Sequence, residues 1–400
     1  MKGGCPMKRI NKNIIATVAI FCLILAGFFS KSLLSGICGD FSKLAKNSEN
    51  LGFFPAASQF TSSVEKTSAR GLSYYEKLMD INSLANRAKG TEIIEKDDST
   101  VVLTDSGYLA NVREYISDEE IEKCVDEIEE LFDDIEENGA KALYVLPPVK
   151  GYDLEYPENA DDFTKTNFDR FAEKLSEKKI PTLDLISEKE EENISDEEMF
   201  FITDHHWKPR EGGLWAAEKI CEELGLPSFN ESDFEIKTYE DAFLGSQGKK
   251  VGSFFSPLGI DDIEILAPEF ETSLREEIPS KGINREGDFG ELLYMGNIEP
   301  RDLYSKNPYA AYSGGDFREQ IITNLKNPVG KKIVIIRDSF GCALTPFLAL
   351  STSELHILDI RDGGYAAEKP DVREYIEKVS PDYVIILYSG VANNAGQFDF

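Results

Sequence analysis

The chain has 400 residues, 41% of them hydrophobic, which is enough material for one large folded domain or two smaller ones. Its 73 acidic residues outnumber its 43 basic residues and give a formal net charge of −30, spread along the chain rather than gathered in one tail. A nucleic-acid partner requires a basic face for the phosphate backbone, so this composition argues against such a partner and indicates a solvated acidic surface.

The N-terminal segment decides the predicted compartment. Residues 13–30, between Lys12 and Lys31, carry no charge, and several basic residues precede them. As a helix this segment would extend about 27 Å, which is marginally enough to cross a bilayer. The basic flank predicts a cytoplasmic tip and a transmembrane anchor within residues 1–35, with the rest of the chain outside the cytoplasm. A cleaved signal peptide, which would make the protein secreted, is the alternative.

The next part of the chain leads into a domain of alternating strands and helices. Residues 36–100 form a polar approach segment, and the domain is predicted to span residues 101–400. At its start, residues 101–109 have the pattern of a strand, a turn and a second strand. A helix is then predicted to begin after Ser117, which can form a capping box with Glu120.

The remaining strand patterns alternate with helical patterns, apart from one interruption. Residues 228–325 are rich in Gly, Pro, Ser and Phe, and we predict that they form a loop- and strand-rich insertion. The strands predicted outside this insertion are 142–146, 182–185, 332–336, 355–359 and 383–387. Such alternation is typical of an α/β fold, so the sequence predicts a parallel sheet flanked by helices.

Two of the three histidines of the chain stand in the tetrapeptide Asp204-His205-His206-Trp207. Histidine is the side chain whose ordinary pKa lets it accept and return a proton near neutral pH. In a loop, Asp204 and His206 can fold toward each other as an Asx-type turn, so that the carboxylate orients the imidazole. The spacing therefore predicts His206 as a general base and Asp204 as its orienting acid.

The candidate nucleophile is Ser339, which follows the predicted strand 332–336 and precedes a predicted helix. Reactive groups gather at the carboxyl ends of parallel strands, and the N–H groups at the start of a helix favour a developing negative charge. Gly341, two residues further on, would let a substrate approach closely. The alternative interpretation is that Ser339 only caps the helix.

The motif at residues 204–207 resembles the signature of the DHHW proteins, a group within the SGNH-hydrolase-like superfamily. It is also similar to the Asp-x-His-Trp motif of the alginate O-acetyltransferases, in which the Asp and the His likewise precede the serine. Residues 106–109, 311–316 and 336–341 add to the resemblance. It implies an SGNH-like, flavodoxin-like fold and serine acyl transfer outside the cytoplasm, namely O-acetylation of a cell-surface polysaccharide through an acyl-Ser339 intermediate.

Carried over to this chain, the resemblance implies Ser339 as nucleophile, His206 as general base and Asp204 as the residue that orients it. The backbone N–H of Ser339 would contribute to an oxyanion hole. Further candidates for substrate binding or the oxyanion hole are Trp207, Arg361, Gly341, Gly314 and Gly315. The resemblance also implies a glycan acceptor and a multi-pass membrane acyltransferase as acetyl donor, because acetyl-CoA is not available outside the cytoplasm. No metal ion and no cofactor is expected.

Three alternatives stay open at this point. An esterase would use the same triad and pass the acyl group to water, since the exclusion of water decides between the two outcomes. A non-catalytic glycan-binding or scaffold protein on the same fold would stack aromatic side chains on sugars, with Trp207, Tyr152, Tyr309 and Tyr312 as candidates. A metal site like that of the DHH phosphoesterases is disfavoured, because it needs several further Asp and His ligands and only His356 remains elsewhere.

Overall fold

The structure is a computed structural model, and it describes residues 75–96, 99–362 and 367–400. Within these ranges no helix has both the length and the apolar character needed to cross a bilayer. The predicted anchor at residues 13–30 lies outside the described residues, so it stays a prediction.

The strands form one large sheet and two small ones. In chain order they are β1 (Ile93–Lys96), β2 (Ser99–Leu103), β3 (Leu109–Asn111), β4 (Lys141–Leu146), β5 (Thr182–Asp184), β6 (Phe234–Phe243), β7 (Asp261–Pro268), β8 (Leu274–Ile278), β9 (Ile283–Gly287), β10 (Glu319–Asn324), β11 (Lys332–Arg337), β12 (Glu354–Leu358) and β13 (Tyr383–Leu387). Strands β1 to β3 form a three-stranded sheet, and β6 and β7 form an antiparallel pair. The other eight strands form the large sheet, in the spatial order β5-β4-β13-β11-β12-β10-β8-β9.

The large sheet is mixed, whereas the sequence predicts a parallel one. Strands β5, β4, β13, β11 and β12 are parallel, and β10, β8 and β9 extend the sheet by antiparallel pairing. The three antiparallel strands lie in residues 228–325, so this stretch completes the sheet as well as carrying loops. The physical reason is visible in the strands themselves. The connection from β8 to β9 is too short for a parallel crossover, and β8 and β10 alternate between buried and less buried residues, whereas β11 and β13 are almost continuously buried.

The described residues contain ten α-helices. They are α1 (Tyr75–Ala88), α2 (Asp118–Glu137), α3 (Thr164–Glu177), α4 (Leu185–Glu191), α5 (Asp196–Met199), α6 (Trp215–Leu224), α7 (Ser246–Val251), α8 (Phe289–Leu292), α9 (Gly341–Ser351) and α10 (Val372–Val379). Alternate residues of the central strands point into two cores, as Ile335 and Ile336 of β11 do. Helices α2, α3 and α10 pack on one core, and helices α6 and α9 pack on the other.

The capping box predicted at the start of α2 is confirmed. The Ser117 hydroxyl accepts a hydrogen bond from the Glu120 N–H at 3.3 Å, and the Glu120 carboxylate accepts one from the Ser117 N–H at 3.1 Å. The helix buries a stripe of seven residues against the sheet. Its burial follows from the apolar spacing of the sequence.

Helix α9 differs from the amphipathic α2, because every residue from Gly341 to Ser351 is buried. It begins directly after the candidate nucleophile and lies between the sheet and helix α6. The turn that carries Ser339 is therefore attached to the interior of the protein.

Candidate active site

Ser339 lies in a tight turn between the end of β11 and the start of α9. The neighbouring Asp338 holds this turn in place: one carboxylate oxygen accepts the N–H of Phe340 at 2.9 Å. The other oxygen accepts the N–H and the hydroxyl of Ser389 at 2.6 and 2.7 Å. Because Ser389 follows β13, Asp338 ties together the carboxyl ends of two neighbouring parallel strands. Sequence reasoning missed Asp338, although an Asp two residues before a backbone donor is the usual signal of an Asx turn.

The structure brings Ser339, His206 and Asp204 together, although 133 positions of sequence separate the serine from the histidine. The His206 Nε2 atom lies 2.8 Å from Ser339 Oγ, and its Nδ1 atom lies 2.5 Å from an Asp204 carboxylate oxygen. The same oxygen accepts the backbone N–H of His206 at 3.0 Å, which forms the predicted Asx-type turn. This is the geometry of a nucleophile, a base and an orienting acid.

The Asp204 carboxylate is buried and ionised. Burial acts to raise the pKa of this carboxyl, but the adjacent imidazoles of His206 and His205 hold the pKa well below its usual range. Hydrogen bonds from His206 and from the backbone N–H of Ser246, at 2.5 Å, add to this effect. An ionised carboxylate accepts the proton on Nδ1, so the hydrogen-bond pattern assigns the lone pair of His206 to Nε2, facing Ser339.

Two aromatic rings pack against the His206 imidazole. The ring of Tyr309 stacks on it with a centroid distance of 4.2 Å, and the ring of His205 lies 3.9 Å away on a tilted plane. The Tyr309 hydroxyl and the Trp207 indole N–H both donate to the carbonyl oxygen of Phe340, each at 3.1 Å. Tyr309 therefore contacts both the base and the turn next to the nucleophile.

Trp207 is a structural residue here rather than a substrate contact, which corrects its prediction as a substrate candidate. Its side chain is fully buried and packs edge-on against Phe340. A Cβ atom at Gly212 would lie 2.3 Å from Trp207 Cβ, so the neighbouring backbone closes over the residue. The tyrosines considered for sugar stacking are also buried, with Tyr309 at 2% and Tyr312 at 3% exposure.

The glycine candidates for the oxyanion hole have their N–H groups engaged within the protein. The N–H of Gly314 donates to the Ala310 carbonyl at 2.8 Å, and that of Gly341 donates to the Asp338 carbonyl at 3.1 Å. Gly315 donates to the Ser313 hydroxyl at 3.4 Å. The φ angles of +77° at Gly314 and +123° at Gly315 identify these two glycines as a turn.

Gly341 also has a packing role that the sequence did not reveal. A Cβ atom there would lie 2.7 Å from Arg337 Cδ, so the missing side chain leaves room for arginine rather than for substrate. By contrast, the N–H of Ser339 donates to no acceptor in the described part of the chain. It remains the candidate donor to an oxyanion.

A buried charge network that sequence reasoning missed lies behind the nucleophile turn. Arg337 is fully buried, forms an ion pair with Asp316 and donates to the Asp338 carbonyl at 3.2 Å. Burial acts to raise the pKa of Asp316, but Arg337 and Arg361 hold it at about 2. The guanidinium of Arg361 binds Asp359 in a two-pronged ion pair, with its Nη2 atom 3.3 Å from Asp316. Arg361 is thus tied into this network.

The three residues Asp204, His205 and His206 could also hold a metal ion by distance alone, since their ligand atoms lie within 4.8 Å of one another. Both ring nitrogens of His206 have protein partners, and Ser246 binds both the second oxygen of Asp204 and the Nδ1 atom of His205. A metal ion would have to displace these hydrogen bonds. The arrangement therefore fits a triad better than a metal centre.

We expect His205 to make the stability of the protein depend on pH. Burial, together with the neighbouring His206, lowers its pKa from 6.5 to about 3. As the pH falls from 6.5 to 3, the unfolded chain takes up a proton that the folded protein does not, so the folded state loses stability over this range. We expect the free energy of unfolding to fall more steeply for the wild type than for His205→Gln in this window, and the two curves to be parallel above pH 7.5. Urea unfolding at a series of pH values measures this, and parallel curves throughout would contradict it.

The sequence and the fold are both similar to those of known proteins. The sequence profile of the family described as SGNH hydrolase-like domain, acetyltransferase AlgX, matches residues 104–276, which include the motif at 204–207 but end before Ser339. No curated protein sequence gives a match.

Two solved structures have the same fold. PatB1 from Bacillus cereus, solved with a sulfonyl adduct, is 22% identical with a TM-score of 0.61, over 76% of this chain and 99% of that chain. A DHHW family protein from Eubacterium siraeum is 18% identical with a TM-score of 0.56, over 77% of this chain and 96% of that chain. At these identities the two structures show a shared fold.

Proposed function

We propose that this chain, whose residues 104–276 match the SGNH hydrolase-like domain of the acetyltransferase AlgX family, is a serine O-acetyltransferase. We propose further that it modifies a cell-surface polysaccharide outside the cytoplasm. The observation that carries the proposal is the contact of 2.8 Å between His206 Nε2 and Ser339 Oγ, with Asp204 on the other side of the imidazole. The description of the matched family supports acetyl transfer as the type of reaction.

In the first half of the reaction, Ser339 Oγ attacks the carbonyl carbon of an acetyl donor while His206 Nε2 takes the hydroxyl proton. The negative charge that develops on the carbonyl oxygen is stabilised by the N–H of Ser339 at the start of α9. The tetrahedral intermediate then expels the leaving group, which receives the proton from His206. Asp204 stabilises the imidazolium that exists between these two proton transfers. The product is an acetyl ester on Ser339.

In the second half, a sugar hydroxyl gives its proton to His206 and attacks the acetyl-serine. Collapse of the second intermediate breaks the bond between the acetyl carbon and Ser339 Oγ, and His206 returns the proton to the serine. If water attacked instead of a sugar, the same residues would release acetate, and the protein would be an esterase.

The proposed location and partners rest on the N-terminal sequence and on the resemblance. The basic flank and the uncharged segment at residues 13–30 favour an anchored domain outside the cytoplasm. Since acetyl-CoA is not available there, we propose a multi-pass membrane acyltransferase as the donor and a polysaccharide as the acceptor.

The fate of the acetyl group tests this proposal. The full chain is incubated with an activated acetyl ester, with and without a panel of oligosaccharides, and both free acetate and acetylated sugar are measured. We expect acetylated sugar to form with at least one acceptor, at the expense of acetate. Acetate alone with every acceptor would indicate an esterase. Neither product, from protein shown to be folded, would indicate a non-catalytic glycan-binding or scaffold protein.

A further inference from the structure

The loop that presents Asp204 is held by a buried lysine that has no place in the mechanism above. Lys150 follows β4 and is 5% exposed. Its ammonium group donates to the backbone carbonyl oxygens of Phe201, Ile202 and Asp204 at 2.6, 3.0 and 2.9 Å. A fourth acceptor, the side-chain oxygen of Gln247, lies 3.1 Å from the ammonium nitrogen, and Gln247 follows the Ser246 whose N–H binds Asp204.

A buried carboxylate holds the same loop through its N–H groups. Asp261, at the start of β7, is 3% exposed. One of its oxygens accepts the N–H and the hydroxyl of Thr203 at 2.8 and 2.5 Å, and the other accepts the N–H of Ile202. The peptide groups of the loop therefore present their carbonyl oxygens to the cation and their N–H groups to the anion.

Lys150 and Asp261 carry opposite charges, and both bind peptide groups of the same loop. Within the described ranges, Lys150 makes no direct ion pair with any carboxylate, so the four acceptor oxygens around its ammonium group stabilise the buried cation. Burying a charge in this way is costly, and replacing such a pair by apolar side chains is often neutral or stabilising. Global stability therefore does not by itself explain why two charged side chains are buried here.

We propose that Lys150 and Asp261 are positioning residues for acyl transfer, which together hold the loop at residues 201–204 so that Asp204 orients His206 toward Ser339. This inference rests on the proposed function. The two residues touch neither the reacting atoms nor a substrate, and they act on the reaction only through Asp204.

Burial shifts the pKa of each of these two residues toward its uncharged form. Burial lowers the pKa of Lys150 to about 7, against the attraction of Asp261, Asp204 and Asp196. Burial raises the pKa of Asp261 to about 6, against its bonds to Thr203 and the attraction of Lys150. The other groups that face Lys150 are Lys208, which repels it, and the ring of Tyr108, whose centroid lies 5.5 Å from the ammonium nitrogen.

The test compares Lys150→Met, Asp261→Asn and the double variant with the wild type in the full chain. Acetylation of Ser339 by an activated ester is measured per folded molecule. We expect each single variant to acylate about 10²-fold more slowly with an unchanged KM for the ester, since small displacements of a catalytic group cost rates of this order. The double variant is expected to be no slower than the slower single variant, because both residues act on one loop.

Lys189→Met is the matched control. Lys189 is also buried, but unlike Lys150 it forms ion pairs, with Asp153 and Asp196, and it donates no hydrogen bond to residues 201–204. We expect its loss to lower the unfolding midpoint while the acylation rate per folded molecule stays that of the wild type. Wild-type acylation rates in both Lys150→Met and Asp261→Asn would overturn the inference.

A second readout does not depend on turnover. The proton shared by Asp204 and His206 should give a low-field proton resonance, assigned by its absence in Asp204→Asn. We expect this resonance to be shifted or lost in Lys150→Met and Asp261→Asn but kept in Lys189→Met. If the wild type formed no acetyl adduct, the proposed function would fail while this resonance still decided the positioning role. An unchanged resonance in both variants would overturn that role.

Discussion

Ser339→Ala is expected to abolish the acetyl adduct and to lower the acylation rate by roughly 10⁴- to 10⁶-fold, because among the described residues Ser339 supplies the hydroxyl that contacts His206 Nε2. Intact-mass measurement after incubation with an activated acetyl ester shows the adduct as a single added acetyl group on the wild type. A sulfonyl fluoride, which reacts with activated serine hydroxyls, is expected to modify the wild type and leave Ser339→Ala unmodified. Peptide mapping should place both adducts on residue 339.

Ser389→Ala is the control for this experiment. Ser389 lies at the same edge of the sheet and its hydroxyl binds Asp338 at 2.7 Å, whereas the side-chain hydrogen bonds of His206 within the described ranges go to Asp204 and Ser339. We expect this variant to keep the adduct. An adduct of undiminished yield on Ser339→Ala would show that the ester modifies the surface of the protein, and it would remove the acyl-enzyme from the mechanism.

Asp204→Asn is expected to slow acylation by roughly 10³- to 10⁴-fold while leaving the fold intact. The amide is the same size as the carboxylate, but its NH₂ group can donate to His206 Nδ1. The imidazole would then carry its proton on Nε2, where it could no longer accept the proton of Ser339. The acylation rate measured by stopped-flow with the activated ester, together with the unfolding midpoint, separates this effect from a loss of folded protein.

An exposed acid provides the control for Asp204→Asn. Asp262 is exposed and accepts only the N–H of Asp241, at 2.8 Å, among the hydrogen bonds of its side chain in the described ranges. Asp262→Asn removes the same charge and is expected to acylate at the wild-type rate. If Asp204→Asn did so too, the short contact between Asp204 and His206 would have no part in the chemistry.

Ser339, Asp204 and the residues that hold them belong to one physical arrangement. A base is useful only if its lone pair points at the nucleophile, and here the imidazole plane is set by Asp204, by the ring of Tyr309 and by the tilted ring of His205. The nucleophile turn is set by Asp338 and by the two donors to the Phe340 carbonyl. Acyl transfer benefits from such preorganisation because few groups then have to move at the moment of reaction.

Several parts of this site could be predicted from the sequence because they depend on residues close together in the chain. The Asx turn joins Asp204 to His206 over two positions, and the capping box joins Ser117 to Glu120 over three. The position of Ser339 between a strand and a helix also follows from local patterns. Each of these features uses only the geometry of a short peptide, which one sequence is enough to define.

Other predictions required distances between parts of the chain that no local pattern contains. An aromatic residue such as Trp207 is typical of sugar-binding sites, but the burial of Trp207 depends on its packing against Phe340 and Gly212. The direction of β10 depends on which strand it pairs with, so the sheet proved mixed rather than parallel. The network around Arg337 likewise joins residues more than twenty positions apart.

By itself the sequence determined which residues could perform acyl transfer and the local turns in which they stand, because a carboxylate two positions from an imidazole meets it within one turn of the chain. Only the tertiary structure decided that His206 meets Ser339 across 133 positions and that Lys150 and Asp261 hold the loop between them. The physical reason is that hydrogen bonds and burial act over a few ångströms in space. Folding alone brings distant segments within that range.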